Sequence, residues 1–95
     1  MTDQQRYQLH CFVCDGGCTE SVDLKGWMTP AQIAAHRPWN CWYAVVVTST
    51  GTAEVWDMDA VIHRIGLSEP CNGCVIGVYD DPDRAAMATA LGVGT

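Results

Sequence analysis

Apolar residues recur at every second position near the start of the chain, at Tyr7, Leu9, Cys11 and Val13. This period of two predicts a β-strand with one buried side. The DGG sequence at 15–17 predicts a turn after the strand, because glycine permits backbone conformations that other residues avoid. The SVDLK sequence at 21–25 predicts a short second strand.

A helix is predicted over 29–36, where the sequence reads TPAQIAAH. Thr29 can cap the helix N-terminus, Pro30 suits the first helical position, and Gln32 stands where a side chain completes a capping box. Pro38 predicts the end of this helix, because proline lacks the backbone N–H that a helix interior requires.

The clearest predicted element is a β-hairpin. A run rich in β-branched residues at 42–48 is followed by the turn sequence STGT at 49–52, and a second alternating run comes after the turn. Two such runs joined by a short polar turn with glycine are typical of antiparallel neighbouring strands.

The remaining sequence predicts a helix, a strand and another helix. Asp59 can cap a short helix that Gly66 closes, and the apolar run VIGVY at 75–79 predicts a strand. The sequence 81–92 has an acidic start, an early proline and a final glycine, which together predict a helix. The resulting order is roughly ββαββαβα. It predicts an α+β fold with a small antiparallel or mixed sheet and two or three short helices.

The composition predicts a single folded domain over 1–95. Of the 95 residues, 48% are apolar and 17% are charged, which is typical of a globular chain. A chain of this length buries a modest core, and metal ions or disulfides often add to the stability of such small domains.

The net charge of −6 argues against nucleic acid or an anionic membrane as a partner. The longest apolar run, 42–47, is far shorter than the ~20 residues needed to cross a bilayer. The polar N-terminal sequence MTDQQRYQ has no apolar segment typical of a signal peptide, so we expect a cytoplasmic protein. Disulfides are rare in the reducing cytosol, where paired cysteines usually bind metals or perform redox chemistry.

Two pairs of cysteines with the spacing C-x-x-C predict a zinc site formed by Cys11, Cys14, Cys71 and Cys74. Two tight turns of this kind can present four thiolates to one tetrahedral ion, and both segments resemble zinc-ribbon knuckles. Phe12 and Asp15 depart from the residues common in such knuckles. The 56 positions between the pairs exceed the usual ~15–20, so the ion would join the two ends of the domain.

The other cysteines, Cys18 and Cys41, are possible additional ligands, whereas His10, His36 and His63 are left out of the predicted site. Four thiolates could instead hold an iron–sulfur cluster, although the spacing typical of bacterial ferredoxins is missing. Thiol redox chemistry has less support. No lysine or arginine lies near either cysteine pair in sequence to lower a thiol pKa.

A catalytic alternative rests on CTE at 18–20 together with EPCNGC at 69–74. This combination resembles the motifs of zinc-dependent deaminases of the cytidine deaminase type. The resemblance implies zinc bound by Cys18, Cys71 and Cys74, with Glu20 moving protons for a zinc-bound water. In that family both motifs open helices. The first interpretation remains a zinc-stabilised, non-enzymatic interaction or regulatory module.

Four tryptophans are many for so small a core, and Trp is seldom fully buried. Trp42 and Trp56 lie in the two strands of the predicted hairpin, so we expect one of them on its outer face. Trp56 beside Glu54 and Asp57 is the predicted partner-binding site. An exposed aromatic residue with an acidic rim is suited to a partner protein with a basic surface.

Overall fold

A computed structural model describes residues 6–14, 19–21, 26–36, 41–63 and 73–91, with the backbone alone for 19–21, 62 and 63. Several predictions fall outside these residues. They concern the turn at 15–17, the strand residues 22–25, and the two helix ends at Pro38 and Gly66.

The described elements follow the predicted order ββαββαβα. The strands are β1 (Gln8–Cys14), β2 (Thr19–Ser21), β3 (Cys41–Val47), β4 (Ala53–Asp57) and β5 (Val75–Tyr79). The helices are α1 (Pro30–Ala35), α2 (Met58–His63) and α3 (Pro82–Ala90). The predicted α+β class, the hairpin of β3 and β4, and the three short helices are confirmed. No helix among the described residues is long and apolar enough to span a bilayer.

The strands form one sheet in the order β2-β1-β3-β4-β5, and every neighbouring pair is antiparallel. The central strand β3 contains three consecutive valines, and its neighbours β1 and β4 contribute Phe12, Val13, Val55 and Trp56. β-branched and aromatic residues of this kind suit buried positions of a sheet. β5 lies at one end of this order, and within the described chain its only strand partner is β4.

Side-chain hydrogen bonds cap the first turns of helices α1 and α2. Thr29 and Gln32 form the predicted capping box of α1, with Pro30 in the first turn. The prediction for α2 was wrong in its capping residue. The carboxylate of Asp57 accepts hydrogen bonds from the backbone N–H groups of Asp59 and Ala60, at 3.0 and 3.4 Å. Asp59 itself lies in the first turn of the helix.

Two hydrophobic clusters cover the two faces of the sheet. The first cluster joins the sheet to α1 and α2, and its largest members include Phe12, Ile33, Trp56 and Met58. The second cluster joins the sheet to α3 through Cys11, Val13, Val45, Val55, Ala85 and Ala86. The fold therefore has three layers, with α1 and α2 on one side of the sheet and α3 on the other.

A β-bulge at His10 divides the apolar residues of β1 between these two clusters. Leu9 pairs with Val46 and Cys11 pairs with Val45, so β1 contains one more residue than β3 in this interval. The extra residue reverses the side-chain alternation. Leu9 consequently packs on the α1–α2 side, whereas Cys11 packs on the α3 side.

A second irregularity lies at the start of β3. Val13 pairs with Tyr43 and Cys14 pairs with Cys41, which leaves Trp42 as the additional residue. Because of this residue, Cys41 packs on the α1–α2 side together with Ala44 rather than on the side of Tyr43.

Candidate functional site

Three cysteine side chains pack into the hydrophobic cluster on the α1–α2 side, at the same end of the sheet. Cys14 ends β1 and lies opposite Cys41, which begins β3. Cys74 directly precedes β5, and its carbonyl oxygen accepts a hydrogen bond of 2.7 Å from the N–H of Asp57 at the end of β4. Cys41 and Cys74 are buried, and Cys14 is partly buried against the same cluster.

Cys11 does not join this group. The residues from Cys11 to Cys14 lie in an extended strand, not in a tight turn, and their side chains pack on opposite faces of the sheet. The resemblance of this segment to a zinc-ribbon knuckle is therefore not matched by its backbone. Of the four cysteines in the predicted zinc site, the structure brings Cys14 and Cys74 into one cluster. Cys71 and the possible ligand Cys18 lie outside the described residues.

The oxidation state of the cysteines differs within the cluster. Cys14 is disulfide-bonded, whereas Cys11, Cys41 and Cys74 form no disulfide. The partner of Cys14 therefore lies outside the described residues. In the described part of the chain, no three His, Cys, Asp or Glu side chains are arranged to hold a metal ion. A sulfur in a disulfide cannot act as a thiolate ligand, so metal binding by Cys14 requires its reduction first.

The environment of Cys11 is that of an inert core thiol. Burial raises the pKa of Cys11 from 9.0 to about 11, and the negative charges of Asp83 and of an ionised Cys41 act in the same direction. At neutral pH this thiol is protonated, which makes it a poor nucleophile and a poor metal ligand. Its role is that of a small apolar residue beneath α3.

The deaminase-like motifs lie in or next to strands in this structure. Glu20 lies in β2 and pairs with Phe12, and the residues after Cys74 form β5. The deaminase family has helices at both places. The two remaining residues of the resemblance, Cys18 and Cys71, lie outside the described part.

The predicted exposure of Trp56 was wrong. Trp56 is completely buried, and its ring meets that of Tyr7 edge to face with ring centroids 4.6 Å apart. Its indole N–H donates a 3.0 Å hydrogen bond to the Glu54 carboxylate, while Asp57 caps α2. The exposed tryptophan of the hairpin is Trp42, with 45% of its surface accessible. Alternation within a strand does not reveal which of its faces a helix covers. The sequence pattern therefore could not tell which of the two tryptophans, Trp42 or Trp56, would be buried.

A different surface exposes apolar side chains next to β5. A groove of about 300 Å³ is lined by Tyr79, Arg84, Met87, Ala88 and Leu91. Met87 is 64% exposed and Leu91 is 81% exposed, so two large apolar side chains are accessible in one groove. We refer to these five residues as the α3 groove.

Helix α3 has one side that packs on the sheet and another side that lines the α3 groove. Ala85, Ala86 and Thr89 are buried against the sheet. The groove residues of the helix stand at 84, 87, 88 and 91, the spacing of a continuous helical stripe. Because alanines occur on both sides, the sequence did not indicate this stripe, and the only available signal was the spacing of Met87 and Leu91 by one turn.

Acidic side chains surround the beginning of α3. Asp80, Asp81 and Asp83 are all exposed, and Asp81 caps the helix by accepting a 2.7 Å hydrogen bond from the N–H of Asp83. Asp83 also lies 3.4 Å from His10 on β1. The groove therefore combines exposed apolar side chains with one basic lining residue, Arg84, and three acidic residues lie nearby at the start of its helix.

Comparison with known proteins adds no relationship to this description, because no family model, curated protein or solved structure matches the chain significantly.

Proposed function

We propose that this protein is a small, non-enzymatic interaction module that binds a basic protein surface through the α3 groove. The observation that carries the proposal is the exposed apolar stripe of α3, bordered by the acids that begin the helix. The partner class agrees with the interpretation of the sequence, but the binding residues change from Trp56, Glu54 and Asp57 to those of the groove.

Apolar exposure supplies the attraction in this proposal. Burying a methionine or leucine side chain contributes roughly 1.5–3 kcal/mol, and Met87 and Leu91 both offer most of their surface to a partner. Tyr79 adds a ring with a polar end, a type of side chain that is common at the centres of interfaces. In protein interfaces a few such anchors usually account for most of the binding energy.

Charge selects the partner. The chain has a net charge of −6, and the exposed acids Asp80, Asp81 and Asp83 near the groove outnumber its one basic lining residue, Arg84. Complementary charges at the border of an interface increase the association rate and exclude acidic partners. We therefore expect association to slow as the salt concentration rises, because mobile ions screen exposed charges over ~10 Å at 0.1 M.

Zinc remains part of the proposal, with a changed set of ligands. Cys14, Cys41 and Cys74 are the described cysteines that share one cluster, but their side chains are not arranged to hold an ion in this structure. Zinc binding would therefore require these side chains to move together, with Cys71 or Cys18 as a fourth thiolate. In a reducing compartment the Cys14 disulfide would open and its sulfur would become available to the ion. Such a site would join β1, β3 and the start of β5, and so stabilise the sheet without forming part of the groove.

The test is a comparison of two variants in a binding selection. A displayed library of random peptides is selected on immobilised wild-type protein, and the enriched peptides are measured against the double variant Met87→Ser/Leu91→Ser. Both residues are exposed, so each substitution should change stability by no more than about 0.5 kcal/mol. The matched control is Trp42→Ala, which removes an exposed aromatic residue at the other end of the sheet.

We expect enriched peptides to combine apolar residues with lysine or arginine, to lose at least about tenfold in affinity for the groove variant, and to keep their affinity for Trp42→Ala. Loss of binding in Trp42→Ala alone would assign recognition to the hairpin and contradict the proposal. Absence of enrichment, or selection of acidic peptides, would also contradict it.

A further inference from the structure

We infer that the α3 groove receives an extended segment of the partner, which adds to the sheet as a strand beside β5. This inference rests on the proposed function and specifies the conformation and side-chain pattern of the ligand. It follows from the position of the groove between a helix and the outermost described strand.

β5 offers backbone groups as well as side chains. Among the described strands it pairs with β4 alone, so no strand of the described residues occupies its other edge. An edge of this kind can pair with a further strand through its N–H and C=O groups. Natural sheets usually protect such an edge with charged residues or proline. The sequence of β5 is VIGVY, and the nearest charged residues and proline come after it, from Asp80 to Pro82.

The groove includes one residue of β5, Tyr79, so a strand added to β5 would run beside it. Tyr79 is directed to the α3 side, because it packs against the cluster that contains Ala85 and Ala86. Its ring lies over Gly77, with the Cε1 atom 2.8 Å from the place where a Cβ would stand, so Gly77 faces the same side. A strand added to β5 would run about 4.8 Å further out. Every second side chain of that strand would then point toward Tyr79, Met87 and Leu91.

This arrangement predicts the pattern of the ligand. Side chains that enter the groove should be apolar, and those between them remain on the opposite face or in solvent. Lysine or arginine residues at the end near Tyr79 would meet Asp80 and Asp81, which directly follow β5. We therefore assign the edge to an extended peptide in which apolar and basic residues alternate. A second copy of this chain is a poorer occupant, because two chains of net charge −6 repel each other.

The experiment uses three synthetic peptides on the whole chain. The first has twelve residues of alternating valine and lysine. The second has the same sequence with N-methyl groups on two adjacent central residues, which blocks both backbone edges while retaining the side chains. The third has the same composition rearranged to the apolar period of a helix. Binding is measured by NMR titration, together with hydrogen exchange of the amides at 75–79.

We expect the alternating peptide to bind and to slow amide exchange in β5, and the N-methylated peptide to bind at least about tenfold more weakly. The helical arrangement should also bind more weakly. Equal binding of the methylated peptide, with unchanged exchange in β5, would overturn strand addition. If that binding still required Met87 and Leu91, the proposed interaction function would survive.

A dimer of the chain detected by light scattering, with β5 amides protected before any peptide is added, would assign the edge to a second copy and overturn the inference. Binding of the alternating peptide that is unaffected by Met87→Ser/Leu91→Ser would instead contradict the groove itself, and with it the proposed function. The two failures are thus distinguishable.

Discussion

Cys14 lies directly opposite Cys41 on the neighbouring strands β1 and β3, and both pack into the cluster that contains Cys74. Cys11, three residues before Cys14, lies on the other face of the sheet. The four described cysteines therefore divide into three that share one cluster and Cys11, which is buried on the other face.

Zinc content should follow this division. We expect protein purified under reducing conditions to contain about one zinc ion per chain. Cys41→Ser or Cys74→Ser should reduce that content, because each removes a sulfur from the shared cluster. Cys11→Ser should retain the metal, because its side chain lies on the opposite face of the sheet. Elemental analysis of non-denatured protein makes the comparison.

Two controls accompany this measurement. Thiol counting after denaturation without reductant determines whether Cys14 is oxidised, as it is in the structure. Metal that disappears in Cys11→Ser but persists in Cys41→Ser would restore the ligand set predicted from the sequence. A protein that binds no zinc after full reduction would remove the ion from the proposal.

Cys11 should make folding stability sensitive to alkaline pH. Its pKa is about 11 in the folded protein and 9.0 for a free thiol, so between these values the folded chain binds more protons than the unfolded chain. The free energy of unfolding must then decrease as the pH rises, by at most about 1.4 kcal/mol per pH unit. The stabilisation is complete below pH 9 and is lost as the pH rises toward 11.

Urea denaturation at pH 8 and pH 10 measures this effect. Because tyrosine and lysine also titrate in this range, Cys11→Ala serves as the control, and its loss of stability over the same interval should be smaller. Equal losses in both proteins would show that Cys11 does not contribute.

The two tryptophans of the hairpin should differ strongly in their effect on stability. Trp56→Ala removes a fully buried ring that contacts Tyr7, and should lower the free energy of unfolding by ~3–5 kcal/mol. Trp42→Ala changes an exposed residue and should cost less than about 1 kcal/mol. Chemical denaturation followed by circular dichroism compares the two, and similar losses would contradict the assignment of Trp56 to the core.

Substitution of two glycines should separate stability from binding. In Gly77→Ala the new Cβ would lie 2.8 Å from the Tyr79 ring, which can move outward. We expect a stability change within about 1 kcal/mol but a loss of peptide affinity, because Tyr79 lines the α3 groove. NMR contacts between Tyr79 and Met87 should weaken in the same variant.

Gly51→Ala is the matched control. Gly51 lies in the hairpin turn with φ of +92°, and no neighbouring atom lies within 4 Å of its Cβ position. The substitution should cost roughly 1–2 kcal/mol through backbone strain, while peptide affinity stays unchanged. Reduced affinity in Gly51→Ala, or none lost in Gly77→Ala, would contradict the place of Tyr79 in the groove.

Local chemistry determined the elements of this protein. The capping box of Thr29 and Gln32, the glycine-containing turn between β3 and β4, and the acidic start of α3 each act within a few residues. Such interactions depend on neighbours in the chain, so the sequence was sufficient to predict them and the order ββαββαβα. The distribution of cysteines into C-x-x-C pairs was equally visible, but it carried no information about the faces on which they would pack.

Only the tertiary structure determined on which face of a strand or helix each of these side chains lies. The extra residues His10 in β1 and Trp42 in β3 appear only when the two strands are paired, since a bulge is a property of the register between them. The extra residue His10 puts Cys11 on the opposite face from Leu9, and the extra residue Trp42 brings Cys41 to the face of Cys14. In the same way, packing of α3 on the sheet through Ala85 and Ala86 determined that Met87 and Leu91 stay exposed. Which side of a strand or helix is buried depends on the element that covers it, and that is decided by contacts between residues distant in the chain.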